Sequence, residues 1–563
     1  MTITGRGKHE GRPDTDLGAH RRTPYSPRHG PAVPEQGRRP SRRVRVGDST
    51  LWDWRSQGNC QTDETLTHSG SGAGTARPLS RVFAHGVAWN TLALGGTLIG
   101  QLCYTIITSR LISPHGFGAY AVAQALVILS TYFTLNAAGS AVMRSPSKDY
   151  NALISTATQL AAAVGLVAIL LVLFAAPFWA RAWHVEDATP LVRLIAVQIG
   201  FAPTAGVLVG ALRRRMRFRA AGLVEMIGAL AGDAVGIIIA LVTYSPVALA
   251  LGQDAAIVST LILAAALVRP NVFRAINGLI AREIFGFSGR VGLQHLGYYL
   301  LSAAPSLVIA RTLGTRTLGY YSRAYFLVSL PLNYASDAMG RTLYPIYSTL
   351  RDDKGRAASA LTNVLIVCSA ISFVGFGALA ASAKSAVSVA LGPRFTPAIP
   401  LVVVMALFGS INFPFTVAGS VQERLSWMRS VWIVQGVMAS VLAGGIAVSL
   451  MAGAGALAIL FSFFLAVASA HLVQLALLAR HHIVDGARLA VAYAIHASAG
   501  VATFALVKGV QIVSGDTPVL VVGLLQAALG GALVLTVVAI PRLPAAMALS
   551  SNGIRLRFPK LTR

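Results

Sequence analysis

Of 563 residues, 54% are hydrophobic and only 12% charged, with a mean hydropathy of +0.63. A soluble domain carries about 25% charged residues, so this composition excludes a water-soluble globule and points to a membrane protein. The formal net charge of +26 is spread over the first stretch of chain and short loops between apolar runs. There it reports topology and anionic membrane lipids as partners, with no nucleic acid.

The first 81 residues carry fourteen Lys and Arg, in segments such as RRPSRRVRVGDS, with no apolar period. Residues 1–82 are therefore expected to be a disordered basic cytoplasmic tail. No apolar core with a cleavage site follows the charge, so a signal peptide is not expected. Two readings stand: a tail that binds the anionic leaflet, or sequence upstream of the true start.

A spanning helix needs about 20 mostly apolar residues. That rule predicts about fourteen transmembrane helices, an all-α membrane protein. The first six lie near 86–109, 117–142, 153–179, 189–211, 220–243 and 247–268. The rest lie near 287–310, 318–340, 360–383, 396–419, 430–451, 453–478, 487–510 and 516–540. The expected units are a first lobe at 83–270, an interfacial amphipathic linker at 271–286, a second lobe with terminal spans at 287–541, and a basic cytoplasmic tail at 542–563. In the linker, NVFRAINGLIAREIFGF reads as a helix with Arg274, Arg282 and Glu283 on its polar side.

The chain repeats itself. RLISPHGFGAYAVA, starting at Arg110, returns 201 positions later as RTLGTRTLGYYSRA, starting at Arg311. Arg110, Ile112, Phe117, Gly118 and Tyr120 align with Arg311, Leu313, Leu318, Gly319 and Tyr321, and Gly96 with Gly297 at the same offset. Two pseudo-symmetric lobes that rock against each other to move a solute are the architecture such a repeat predicts.

Loop charge gives the orientation. Arg213, Arg214, Arg215, Arg217 and Arg219 crowd one even-to-odd loop, and Arg351, Lys354 and Arg356 mark another. Of the opposite loops, 111–116, 244–246 and 511–515 carry no Lys or Arg, and the exceptions on that side are Arg181, Arg311, Arg316, Lys384 and Arg394. The count places both termini in the cytoplasm of a multi-pass plasma-membrane protein.

Cys60, Cys103 and Cys368 are scattered, without C-x-x-C spacing, so no disulfide framework or metal site is expected. His481-His482 reads as a loop pair, not a ligand set. The chain has no G-x-G-x-x-G after a strand, Walker A, G-x-S-x-G or H-E-x-x-H. No enzyme and no cofactor are expected.

Charges within the bilayer cost about 2.5–3.5 kcal/mol on insertion scales, so those present are functional candidates. Arg290, Gln294 and His295 cluster near the inner end of span seven, and Arg311 ends that span. Arg323, Asn333, Asp337 and Arg341 descend span eight, the last two spaced i, i+4 to pair. Gln101 and Arg110 stand at equivalent places in the first half. Excess arginine suits an anionic guest such as a diphosphate, which guanidinium grips bidentately. Against this, Arg341 reads equally as an inner-interface anchor, and Arg110 and Arg311 as headgroup snorkels. Glu225, Asp233 and Asp254 fit a coupling cation, or internal hydrogen bonding.

Three stretches, ALRRRMRFRAAGLVEMIGALAG (211–232), RTLGTRTLGYYSRAYFLVSLPLN (311–333) and GRTLYPIYSTLRDD (340–353), resemble the polysaccharide flippases of the multidrug/oligosaccharidyl-lipid/polysaccharide (MOP) superfamily. The Wzx/WzxC-like branch is the nearest in kind, and the likeness covers roughly residues 84–480. The resemblance implies a two-lobed fold of the MATE/MurJ type. It also implies alternating-access transfer of polyprenyl-diphosphate-linked oligosaccharide for exopolysaccharide, capsule or O-antigen assembly. A polysaccharide polymerase and a chain-length regulator are the implied protein partners. Arg290, Arg311, Arg323 and Arg341 look like matches to the family's cavity cations. Ser302-Ala303-Ala304-Pro305 departs from it, where the family often holds charged or amide side chains. The rival readings are a cation-coupled drug exporter of the same superfamily, which would favour an acidic cavity, and a membrane-embedded polymerase or ligase.

Overall fold

The computed structural model describes residues 79–145, 147, 149–349, 354–424, 427–515, 517–539 and 544–545, with some side chains inside α1, α2 and α8 outside that description. The expected tails at 1–82 and 542–563 lie almost wholly outside the described residues. In chain order the first half comprises α1 (Leu79–Leu111), α2 (Pro114–Arg144), α3 (Tyr150–Ala182), the short α4 (Ala188–Leu194), α5 (Ala196–Arg214), α6 (Phe218–Thr243) and α7 (Val247–Val268). The second half opens with α8 (Gly278–Thr349), which is two helices meeting at Gly314, where φ is +81°. It continues through α9 (Lys354–Ala381), α10 (Ala383–Ala390), α11 (Ile399–Arg424), α12 (Met428–Met451), α13 (Ala456–Arg480), α14 (Gly486–Val513) and α15 (Val519–Ala539). Among the described residues, ten helical segments are long and apolar enough to cross a membrane. The chain is an all-α multi-pass membrane protein.

Local chemistry sets the ends of these elements. Asp149 and Asp485 cap α3 and α14, each accepting the N–H of the third residue on, at 2.9 Å from Ala152 and 3.0 Å from Arg488. α6 and α7 each end on a left-handed residue, Tyr244 and Arg269, with Pro246 and Pro270 barring continuation. Between these ends α6 packs on α7 through Gly228, Gly232 and Gly236, four apart on one face. A Cβ on Gly232 would come within 2.6 Å of the Gly252 carbonyl oxygen, so only a small-residue stripe lets these backbones approach.

The arginine-rich turn after α5 is largely structural. Arg214 donates to the carbonyls of Val142 (2.6 Å), Ser145 (2.9 Å) and Ser147 (2.8 Å), satisfying the open end of α2. Arg215 lies over the Tyr150 ring at 3.8 Å, and Arg213 pairs with Glu225 at 2.8 Å. Arg217 remains exposed.

Three elements differ from expectation. The linker was expected to be helical throughout, but 269–277 is irregular and helix begins only at Gly278. Asn271 accepts the Phe273 N–H in a local turn. Asn277 then accepts from Leu279 (3.0 Å) and Ile280 (3.3 Å), which starts the helix there. The irregular strap is pinned across α3. Gln159 donates to the carbonyls of Val272 and Arg274, Thr156 accepts the Asn277 N–H, and Arg274 pairs with Asp149 at 2.7 Å. The Ala152 N–H, and after it the Arg274 guanidinium, hold the Asp149 carboxyl below the ordinary carboxylate range. Secondly, the fourth span is broken into α4 and α5 at Ile195. Thirdly, α10 and a 3-10 turn over Pro393–Ala398 follow α9, and they carry the buried Phe395 into the main apolar core.

Candidate functional site

That core reaches across both halves of the chain at the turns of the repeat. Ile112, Phe117 and Tyr120 from the first half and Leu318 and Tyr321 from the second are all buried in it. The rings of Phe117 and Phe395 meet edge to face at 5.7 Å, and those of Tyr320 and Phe395 at 6.1 Å. Deeper in, the Tyr299 hydroxyl donates to the Ala125 carbonyl, joining α8 to α2.

Arg323 sits in this seam. It lies on α8, half-buried, with its guanidinium 4.2 Å from the centre of the Phe117 ring on α2 and 5.2 Å from Phe326. Its Nε is buried without a hydrogen-bond partner, and no carboxylate among the described residues forms a salt bridge with it. Tyr104 of α1 and Tyr120 of α2 lie within its electrostatic range. Asp233 stands against α1, where a Cβ on Gly100 would lie 3.1 Å from its Oδ2. Asp254 is buried and accepts the Gln198 N–H at 3.1 Å. A cavity of about 350 Å³ is lined by Gln198, Gln253 and Thr260 and by the Arg213–Glu225 pair.

The structure thus sets Arg323 against Phe117 and commits Glu225 to Arg213. Arg110 and Arg311 are exposed. Arg110 donates to Val389 at 2.8 Å and to Ile106 at 3.0 Å, and Arg311 donates to the Ala182 carbonyl. Gln101 is half-buried on α1 and Asn333 exposed on α8. The side chains of Arg290, Gln294, His295, Asp337 and Arg341 lie outside the described residues. Sequence reasoning missed Phe117 as a neighbour of Arg323. Phe117 stands in the repeat and was open to that reading. Among the described residues, no three His, Cys, Asp or Glu side chains converge as a metal set.

Comparison with known proteins gives the family of the chain. Residues 107–400 match the polysaccharide biosynthesis protein family, and the chain belongs to that family. It is 26% identical over 349 residues to the succinoglycan biosynthesis transport protein ExoT of Rhizobium meliloti (strain 1021), covering 60% of this chain and 68% of that protein. It is 23% identical over 339 residues to the lipopolysaccharide biosynthesis protein WzxC of Escherichia coli (strain K12), covering 58% and 67%. Its fold is similar to that of the lipid II flippase MurJ in an inward closed conformation, with a TM-score of 0.64 at 10% identity over 82% of this chain and 99% of that one. An inward-facing MATE-family multidrug transporter of the MOP superfamily is also similar, with a TM-score of 0.56 at 15% identity over 69% and 94%. The fold is that of the MOP-superfamily transporters.

Proposed function

We propose that this protein is a flippase that carries polyprenyl-diphosphate-linked oligosaccharide across the plasma membrane for surface-polysaccharide assembly. It works by alternating access between two pseudo-symmetric lobes, six spans before the linker and eight after it counting the terminal spans, with both termini cytoplasmic. α1, α2 and the two parts of α8, added to the ten apolar segments, support that span number. The observation that carries the reading is Arg323, a cation at the meeting of the halves with an orphaned Nε and aromatic neighbours in place of a carboxylate. A guanidinium so placed has its hydrogen-bonding capacity free for the diphosphate, and the surrounding rings exclude competing water. Arg290, Arg311, Arg341, Arg110, Gln101, Gln294, His295, Asn333 and Asp337 complete the proposed path for the headgroup and first sugars. Asp233 and Asp254 are the proposed coupling groups. Glu225 is the weaker candidate because Arg213 already pairs with it.

A drug exporter of the same fold would want an acidic seam for cationic guests, and the sign of Arg323 argues against it. The test is polymer export in a strain lacking its own flippase. Arg323→Ala should lower export about 10- to 100-fold, the loss of one charge-assisted contact, at unchanged protein level in the membrane. Parental export from that variant, or export of cationic dyes by the parent, would overturn the reading.

A further inference from the structure

A groove of about 550 Å³ runs between α1 and the second-half helices α9, α10 and α15. Leu102 and Ile106 line it from α1, Gly375 from α9, Val389 from α10, and Leu524 and Gly531 from α15. Its polar side chains are already committed. Ser382 donates to the Ala378 carbonyl at 2.8 Å, Ser385 to Gln526 Oε1 at 2.8 Å, and Gln526 to the Val507 carbonyl at 3.2 Å. The groove therefore offers a guest hydrocarbon contact and little else. Its walls have not closed on each other, since a Cβ on Gly375 or Gly531 would meet nothing within 4 Å. An unfilled space of this size forfeits dispersion energy on every side, so it calls for an apolar occupant.

One end of the groove is charged. Arg110 donates to the carbonyls of Ile106 (3.0 Å) and Val389 (2.8 Å), both lining residues, and so lies across that end. It is exposed, and those two bonds leave further guanidinium N–H groups to offer. No carboxylate among the described residues forms a salt bridge with it. In the orientation proposed above this is the outer end. The lining residues of α15 run inward from Leu520 to Val534, about 21 Å of helix, against about 15 Å of hydrocarbon in one leaflet. A chain that enters beside Arg110 crosses its whole leaflet within the groove.

We propose that this groove binds an anionic phospholipid of the outer leaflet, with one acyl chain between α1 and α15 and the phosphate on Arg110. Two features choose this occupant over the cargo. Among the described residues nothing from α2 or α8, the helices that carry Phe117 and Arg323, lines the groove, so its guest lies outside that seam. Bilayer lipid is also in large excess over any lipid-linked precursor, and mass action favours it at a site open to the leaflet. Chain and headgroup act together. The chain gains contact along the small-residue wall of α15, and the phosphate takes charge-assisted hydrogen bonds from the guanidinium. Arg110 is the point where this site meets the headgroup path proposed above. The inference goes beyond the transport reading and takes from it only the name of the leaflet.

The test is lipid binding to the full chain, purified in neutral detergent with no cargo present and read by native mass spectrometry. The first phosphatidylglycerol should bind about tenfold more tightly than phosphatidylcholine with the same acyl chains. Arg110→Gln should bring phosphatidylglycerol down to the phosphatidylcholine value, because only the recognition of charge is lost. Gly375→Leu and Gly531→Leu, which fill space that is open, should each weaken both lipids about tenfold. Equal binding of the two lipids by the parent would overturn the proposal, and that comparison needs no variant to fold. Phosphatidylglycerol binding that survives unchanged in Arg110→Gln would overturn it as well. Displacement of phosphatidylglycerol by a polyprenyl phosphate at equal or lower concentration would assign the groove to the cargo and likewise defeat it. Parental export in Arg323→Ala would sink the flippase assignment and leave this site standing.

Discussion

Arg214 and Arg217 occupy the same basic turn and do different work. Arg214 holds one carbonyl in the last turn of α2 and two of the chain between α2 and α3, and its loss leaves those acceptors without a partner. Arg214→Ala should destabilise the protein by about 2–4 kcal/mol, against about 0.5 kcal/mol or less for the exposed Arg217→Ala. Thermal unfolding in detergent, followed by aggregation of the membrane fraction, checks the pair, and equal midpoints would refute the assignment. The motif was conspicuous in sequence as a topology signal. That one arginine staples α2 was not legible, because its acceptors lie about 70 residues upstream and are backbone atoms, which every residue possesses.

At the level of elements, the strap 269–277 shows where periodicity misleads. Its apolar residues recur at helical spacing, but Pro270 and the side chains of Asn271 and Asn277 compete for the backbone. Its carbonyls are then taken by Gln159 on a distant helix. Gln159→Leu should free the strap and raise tryptic cleavage at Arg274 in inverted vesicles. The Asp149 tie has a definite pH sign. Its carboxyl is held below the usual range, so its contribution is complete above the ordinary carboxylate pKa and is lost only as pH falls through the lowered value. Cleavage should therefore stay flat from about pH 8 to about pH 5, and Asp149→Asn should raise it across that whole interval. A rise in the parent within that interval would contradict the tie.

Across the whole molecule, charge asymmetry predicts that a reporter fused after residue 563 lies on the cytoplasmic side. Alkaline phosphatase and fluorescent-protein fusions check this, and an active phosphatase there would reverse the orientation and with it the outer placement of the lipid groove. The described helices fall close to the apolar runs. α3, α6, α7, α12 and α13 coincide with expected spans to within a few residues, because in lipid a backbone must satisfy itself within the helix and length alone then selects the spans.

The candidate site was legible only in part. Arg323 stood out because a charge inside an apolar run is costly wherever the run ends up, and the 201-residue repeat announced two related hairpins. Composition, span length and loop charge were therefore sufficient for the class of protein. They could not show that Gly118 meets Thr315, that Phe117 covers Arg323, or that Arg110 and Arg311 reach across to the opposite halves. Those are contacts between residues 129 to 279 positions apart, and they exist only once backbones approach closely enough for a missing Cβ to matter.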